Sequence, residues 1–67
     1  MLNLLLNGQP LQTEATTLCE LLTEQGFSQT SFVATAVNGK FVAKQHRQAY
    51  LLQEQDNIEI VAPMQGG

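Results

Sequence analysis

In the opening stretch MLNLLL, the two-residue period puts Leu2, Leu4 and Leu6 on one face and Asn3 and Leu5 on the other. That alternation predicts a strand. Asn7-Gly8 follows, and this pair suits the positive φ that both loop positions of a two-residue hairpin require. LNLLLNGQPLQTE therefore reads as a β-hairpin. Pro10 has no amide to donate to a ladder, so the returning strand, with Leu11 and Thr13, belongs at a sheet edge. From Thr17 the period changes. Leu18, Leu21 and Leu22 fall at i, i+3 and i+4, the apolar stripe of a helix. Thr17 and Glu20 have the spacing of a capping box at its start. Gly26 is placed to end it in the left-handed conformation, with Phe27 folding back onto the core.

Alternation resumes in FVATAVNGKFVAK, a second hairpin around Asn38-Gly39. Val33, Thr35 and Val37 share one face, and Ala34 and Ala36 share the other. Residues 44–57 keep no period and read as a polar, irregular connection anchored by Tyr50, Leu51 and Leu52. The final strand, NIEIVAP, turns Ile58 and Ile60 inward and Glu59 and Val61 outward, and Pro63 ends it. One helix can cover only one face of a sheet, which gives an α+β domain of two layers. A long connection with a helix separates the first strand from the last and suits a parallel pairing between them. This is the order of a ubiquitin-like β-grasp: a mixed sheet of four to five strands with one main helix across one face. Residues 1–67 form a single domain in this reading, with 64–67 a flexible C-terminal tail.

Composition narrows the function. A chain of 67 residues is one domain that buries only about 60% of its unfolded surface. Six acidic residues against Lys40, Lys44 and Arg47 give a net charge of −3. That balance argues against a nucleic-acid face and suits docking on a basic partner. The single cysteine, Cys19, allows no internal disulfide, which points to a cytoplasmic protein. No stretch is long enough for a membrane span, and the apolar opening is too short and too uncharged for a signal peptide. There is no phosphate-binding glycine loop, no suggestive carboxylate pair and no zinc ligand set, so the chain reads as lacking catalytic equipment and not as an enzyme, with no cofactor bound. Cys19 reads as a small packing residue. His46 reads as a solvated loop histidine, and Lys40, Lys44 and Arg47 as a solvated stretch. Leu5, Ala36 and Val61 face away from the helix by alternation and, with Met64, form a candidate surface for docking a partner.

The chain finishes IEIVAPMQGG. A β-grasp order in so short a chain, with TTLCELLTEQGF as its helix, AVNGKFV in the middle, QDNIEIVAP near the end and Gly66-Gly67 last, resembles the ThiS sulfur-carrier proteins of thiamine biosynthesis. The resemblance implies that the α-carboxylate of Gly67 is the working group. A separate adenylating enzyme (ThiF-like) would activate it with ATP as an acyl-adenylate. A persulfide sulfur, from a donor such as a cysteine desulfurase, would displace AMP and leave a thiocarboxylate. A thiazole synthase (ThiG-like) would then take the sulfur into the thiazole ring. Residue chemistry agrees with that role: Gly66 and Gly67 bring no side chains into a narrow channel, and Pro63 biases Ala62 toward extended geometry, aiming the tail away from the sheet.

The chain departs from the family pattern in two places. Gln55-Asp56 stands where the family usually has Gly-Asp before the last strand, which allows a turn of another type. Ala43 and Arg47 stand where a proline and an aromatic are frequent. The related carrier of molybdenum-cofactor synthesis uses the same tail chemistry, usually in a longer chain. A ubiquitin-like modifier joined to lysines through Gly67, or a plain interaction domain, fits the same residues.

Overall fold

A computed structural model describes residues 1–27 and 32–62. Pro63, Met64 and the expected tail of residues 64–67 lie outside the described residues. Strands β1 (Leu2–Leu6) and β2 (Gln9–Thr13) are followed by helix α1 (Leu18–Glu24), strands β3 (Ala34–Val37) and β4 (Lys40–Val42), a 3₁₀ helix (Lys44–Ala49) and strand β5 (Asn57–Val61). The five strands form one mixed sheet in the order β2-β1-β5-β3-β4. The last strand is central: it runs parallel to β1 and antiparallel to β3.

Local chemistry accounts for these elements. In both hairpins the loop residues have positive φ, 50° and 83° at Asn7-Gly8 and 53° and 83° at Asn38-Gly39, the type I′ twist that matches a hairpin. Pro10 lies on the edge strand β2, as its missing donor requires. The Thr17 hydroxyl accepts from the Glu20 amide at 3.2 Å, and the Glu20 carboxylate accepts from the Thr17 amide at 3.4 Å, which completes the capping box. At the other end Phe27 N donates to Leu22 O at 2.9 Å and Gly26 N to Thr23 O at 3.0 Å, a Schellman closure. Leu18, Leu21 and Leu22 of α1 pack on Leu4, Val37, Ile58 and Ile60 of the sheet to form the core. Each such side chain contributes on the order of 2 kcal/mol by leaving water.

The connection after β4 differs from its sequence reading. A 3₁₀ helix occupies Lys44–Ala49, and Arg47, expected in solvent, is only 7% exposed. Its Nε donates to Thr35 Oγ1 at 3.0 Å and its Nη2 to the Val33 carbonyl at 2.7 Å. Thr35 belongs to the helix-side face of β3, so the inward position of the 3₁₀ helix carries the guanidinium under α1's side of the sheet. Leu51 also departs from expectation: it is 67% exposed and contributes only a backbone bridge to Thr17. Leu52 is buried and Tyr50 half-buried, and the Tyr50 carbonyl accepts from Leu18 N.

The turn before β5 keeps positive φ without a glycine. Asp56 N donates to Gln53 O at 3.1 Å, and Gln55, its third residue, has φ 72°. Only that position is positive, as at the third residue of a type II turn, so Gln55 itself takes the left-handed conformation that a glycine would accept without strain. Asp56 ties the turn down by accepting from Gln53 N and from Asn38 Nδ2. The left-handed conformation costs a side-chain residue about 1–2 kcal/mol, and glycine's extra unfolded-state freedom offsets part of the relief. Gln55→Gly is expected to stabilise the fold by roughly 0.5–1 kcal/mol, read as a rise of about 4 °C in Tm. A lower Tm would mean that the glutamine side chain, not the backbone, matters there.

Two exposed carboxylates hold backbone donors, Glu20 at the start of its own helix and Glu54 across the sequence on β1. Glu20 accepts from Thr16 N at 2.8 Å and from the Thr16 hydroxyl at 2.8 Å. The Thr16 amide, then its hydroxyl, then the Thr17 amide hold the carboxyl below the ordinary glutamate value of 4.5. Glu54 accepts from Asn3 N at 3.0 Å and Asn3 Nδ2 at 2.9 Å, and these bonds, backbone first, lower it from 4.5 as well. A carboxyl lowered on folding stabilises above its unfolded pKa and loses that contribution as pH falls through the folded one. The urea midpoint is therefore expected to hold from neutrality down to about pH 5 and then to fall. Glu20→Gln with Glu54→Gln should flatten that fall. An equally steep fall in the double variant would assign the acid sensitivity elsewhere.

Candidate functional site

The candidate site is where β5 delivers the chain toward Gly66-Gly67. Register fixes what surrounds it. Ala36 of β3 lies opposite Phe41 of β4 on one side and Glu59 of β5 on the other. Ala34 lies opposite Val61, and Leu5 opposite Asn57. Residues opposite one another share a face, and alternation along β5 puts Asn57, Glu59 and Val61 together. Leu5, Ala36 and Val61 are thus brought onto the one sheet face that α1 leaves uncovered.

Exposure on this face is uneven. Leu5 is 39% exposed and Val61 61% exposed, while Ala36 is half-buried beneath its neighbours. Phe41, which the sequence reading passed over, is 71% exposed in the same cross-strand row as Ala36 and Glu59. Its signal was available: a two-residue Asn38-Gly39 loop pairs Val37 with Lys40, so Phe41 must stand opposite Ala36. The face is a mainly apolar surface with the Glu59 carboxylate in it, leading to Val61 and the exposed Ala62. Met64, assigned to the same surface, lies outside the described residues, as do Gly66 and Gly67.

The other residues singled out in the sequence lie on the helix side. Cys19 is a half-buried free thiol that lines, with Leu22, Phe27, Lys44, Arg47 and Gln48, a cavity of about 310 Å³ between α1 and the 3₁₀ helix. His46 is exposed on the 3₁₀ helix. Among the described residues no three His, Cys, Asp or Glu side chains group as a metal site, and no helix is long and apolar enough to cross a membrane.

A five-stranded mixed sheet with a central C-terminal strand, one helix across one face and an open opposite face defines a ubiquitin-like β-grasp protein. The model of the ThiS family matches residues 4–67, and the chain belongs to that family, the small sulfur carriers of thiamine biosynthesis. It is similar to a crystal structure of the thiamine biosynthesis protein ThiS from Geobacter metallireducens, with a TM-score of 0.82 and 26% identity over 98% of this chain and all (100%) of that one. An NMR solution structure of a thiamine biosynthesis protein from Geobacter metallireducens gives a TM-score of 0.80 at 26% identity, over 98% of this chain and 88% of the other. No curated protein sequence matches the chain.

Proposed function

We propose that this protein carries sulfur as a thiocarboxylate on Gly67 for the formation of the thiazole ring of thiamine. The family match through residue 67, which takes in Gly66-Gly67, is the observation that carries this reading. A carboxylate resists attack because resonance and charge both oppose a nucleophile. An adenylating enzyme of the ThiF type removes both obstacles: the Gly67 carboxylate attacks the α-phosphorus of ATP, and pyrophosphate leaves. A persulfide from a donor such as a cysteine desulfurase then attacks the acyl carbon and AMP leaves, giving an acyl disulfide. A thiol cleaves its S–S bond, reducing the outgoing sulfur to the thiocarboxylate and forming a new disulfide with the donor. A thiazole synthase of the ThiG type consumes the thiocarboxylate.

In this reading the chain supplies no catalytic group and binds no cofactor, and ATP belongs to the partner. The outer face with Leu5, Ala36 and Val61, now joined by Phe41, rests together with Met64 on the adenylating enzyme while the tail enters its active site. Exclusion of water there protects the acyl-adenylate from hydrolysis.

The test is the intact mass of the protein after incubation with ATP, a thiamine-pathway adenylating enzyme and a persulfide source. A gain matching replacement of one oxygen by sulfur, absent from a chain lacking Gly67, supports the reading. No change with an enzyme proven active on its own carrier refutes it, and lysine-linked adducts would favour a modifier instead. Cys19→Ser is expected to load at the same rate as the wild type, because the thiol lies on the helix side of the sheet. Loss of loading in a folded Cys19→Ser protein would give that thiol a part in the transfer.

A further inference from the structure

Strand β1 stops pairing with β5 too early to guide its far end. The parallel register covers only Leu5 with Asn57 and Leu6 with Ile58. Beyond it the chain turns away at Asn7, whose backbone amide still donates to Ile58 O at 2.8 Å. The Asn7 side chain then takes over. Its Oδ1 accepts from Ile60 N at 2.9 Å and its Nδ2 donates to Ile60 O at 3.2 Å. A carboxamide offers one face of donors and one acceptor, so it can occupy the place of a peptide group in a ladder. Asn7 therefore lengthens β1 without lengthening its backbone. On its opposite side β5 pairs with β3, which sets Thr35 opposite Ile60 and Ala34 opposite Val61. β5 is gripped on both sides up to the residue before Val61, from which the sequence runs on to Gly66-Gly67.

We propose that Asn7 is a positioning residue for the carboxyl end: its carboxamide fixes the direction in which β5 presents the following residues to the adenylating enzyme. This rests on the carrier reading above. The second hairpin contains the natural control. Asn38 has the same left-handed turn conformation, but its side chain serves the other end of β5, where Oδ1 accepts from Asn57 N at 3.0 Å and Nδ2 donates to Asp56 Oδ1 at 3.0 Å. Both asparagines form turns and both hold β5. Only Asn7 holds the end that leads to Gly67.

Asn7→Gly and Asn38→Gly each keep a residue that accepts positive φ and delete the carboxamide. Adenylation is followed by ATP–pyrophosphate exchange at varied carrier concentration. Because the outer face is untouched, Asn7→Gly is expected to lower kcat about tenfold with KM nearly constant, whereas Asn38→Gly leaves both within about twofold of the wild type. Amide ¹⁵N order parameters at Val61 and Ala62 should fall in Asn7→Gly alone. Wild-type kcat in a folded Asn7→Gly protein overturns the proposal, and so does an equal loss in both variants, which would mark turn structure alone.

If Asn7→Gly does not fold, Asn7→Asp provides the same two readouts. It keeps the turn preference and the acceptor for Ile60 N but sets a carboxylate oxygen against the Ile60 carbonyl. Failure of the wild type to exchange pyrophosphate would sink the carrier reading instead. The order parameters at Val61 and Ala62 would still decide whether Asn7 holds the end of β5.

Discussion

A chain extended by one alanine after Gly67 is expected to melt as the wild type does and to take up no sulfur. Among the described residues every buried core residue lies at or before Ile60, and Val61 and Ala62 are exposed, so an addition beyond Gly67 leaves that packing intact. The chemistry is far less tolerant. One extra residue moves the reacting carboxylate by up to about 3.5 Å along an extended chain. Misplacement by about 1 Å can already lower a rate 100-fold, so loss well beyond that is expected, and adenylation should fall below detection. The added methyl group also enters a channel that Gly66-Gly67 would traverse without side chains. Deleting Gly67 should have the same outcome for the opposite reason, since the carboxylate falls short. Intact mass for loading and a thermal melt for folding read the two effects separately. Loading of the extended chain within about tenfold of the wild type would mean that the terminal carboxylate is not the working group. A modifier would fail in the same way, so the product formed by the wild type, thiocarboxylate or lysine adduct, separates those two readings.

The second large effect is expected on the uncovered sheet face. Val61→Asp and Phe41→Asp place a carboxylate on a surface whose apolar side chains are 61% and 71% exposed, so folding should change little. If the adenylating enzyme covers this face, each substitution buries an unpaired charge on docking. Such positions typically cost about 1–3 kcal/mol of association, or roughly 10–100-fold in KM, with kcat nearly unchanged. Ala36→Asp should act in the same direction, but it sets a second carboxylate directly opposite Glu59 and needs a melt beside the kinetics. Steady-state adenylation with each folded variant is the measurement. Unchanged KM in both Val61→Asp and Phe41→Asp would remove this face from the docking surface. The signature is the reverse of that expected for Asn7→Gly, where kcat falls and KM holds.

Most of the scaffold was legible because its signals are local. The type I′ turns follow from Asn-Gly pairs, the capping box from Thr17 and Glu20, the helix stop from Gly26 and the edge position of β2 from Pro10. Leu5, Ala36 and Val61 could be put on one face because a strand has a period of two and the fold leaves that face bare. Phe41 needed only the loop length and was still passed over. Arg47 was misread for a different reason. A 3₁₀ helix without an apolar stripe has no periodic signature, and a guanidinium is bound inside only once Val33 and Thr35 are brought beneath it.

The sequence by itself determined the order of elements, the two hairpins, the helix and its ends, and the Gly66-Gly67 pair on which the proposed function rests, since each depends on neighbours a few residues apart. Only the tertiary structure decided that Gln55 endures a left-handed turn, that Arg47 is an internal donor and that the Asn7 carboxamide reaches Ile60. Those outcomes depend on groups far apart in the chain. The partner that satisfies a buried donor, or compensates a strained turn, exists only after the sheet has assembled.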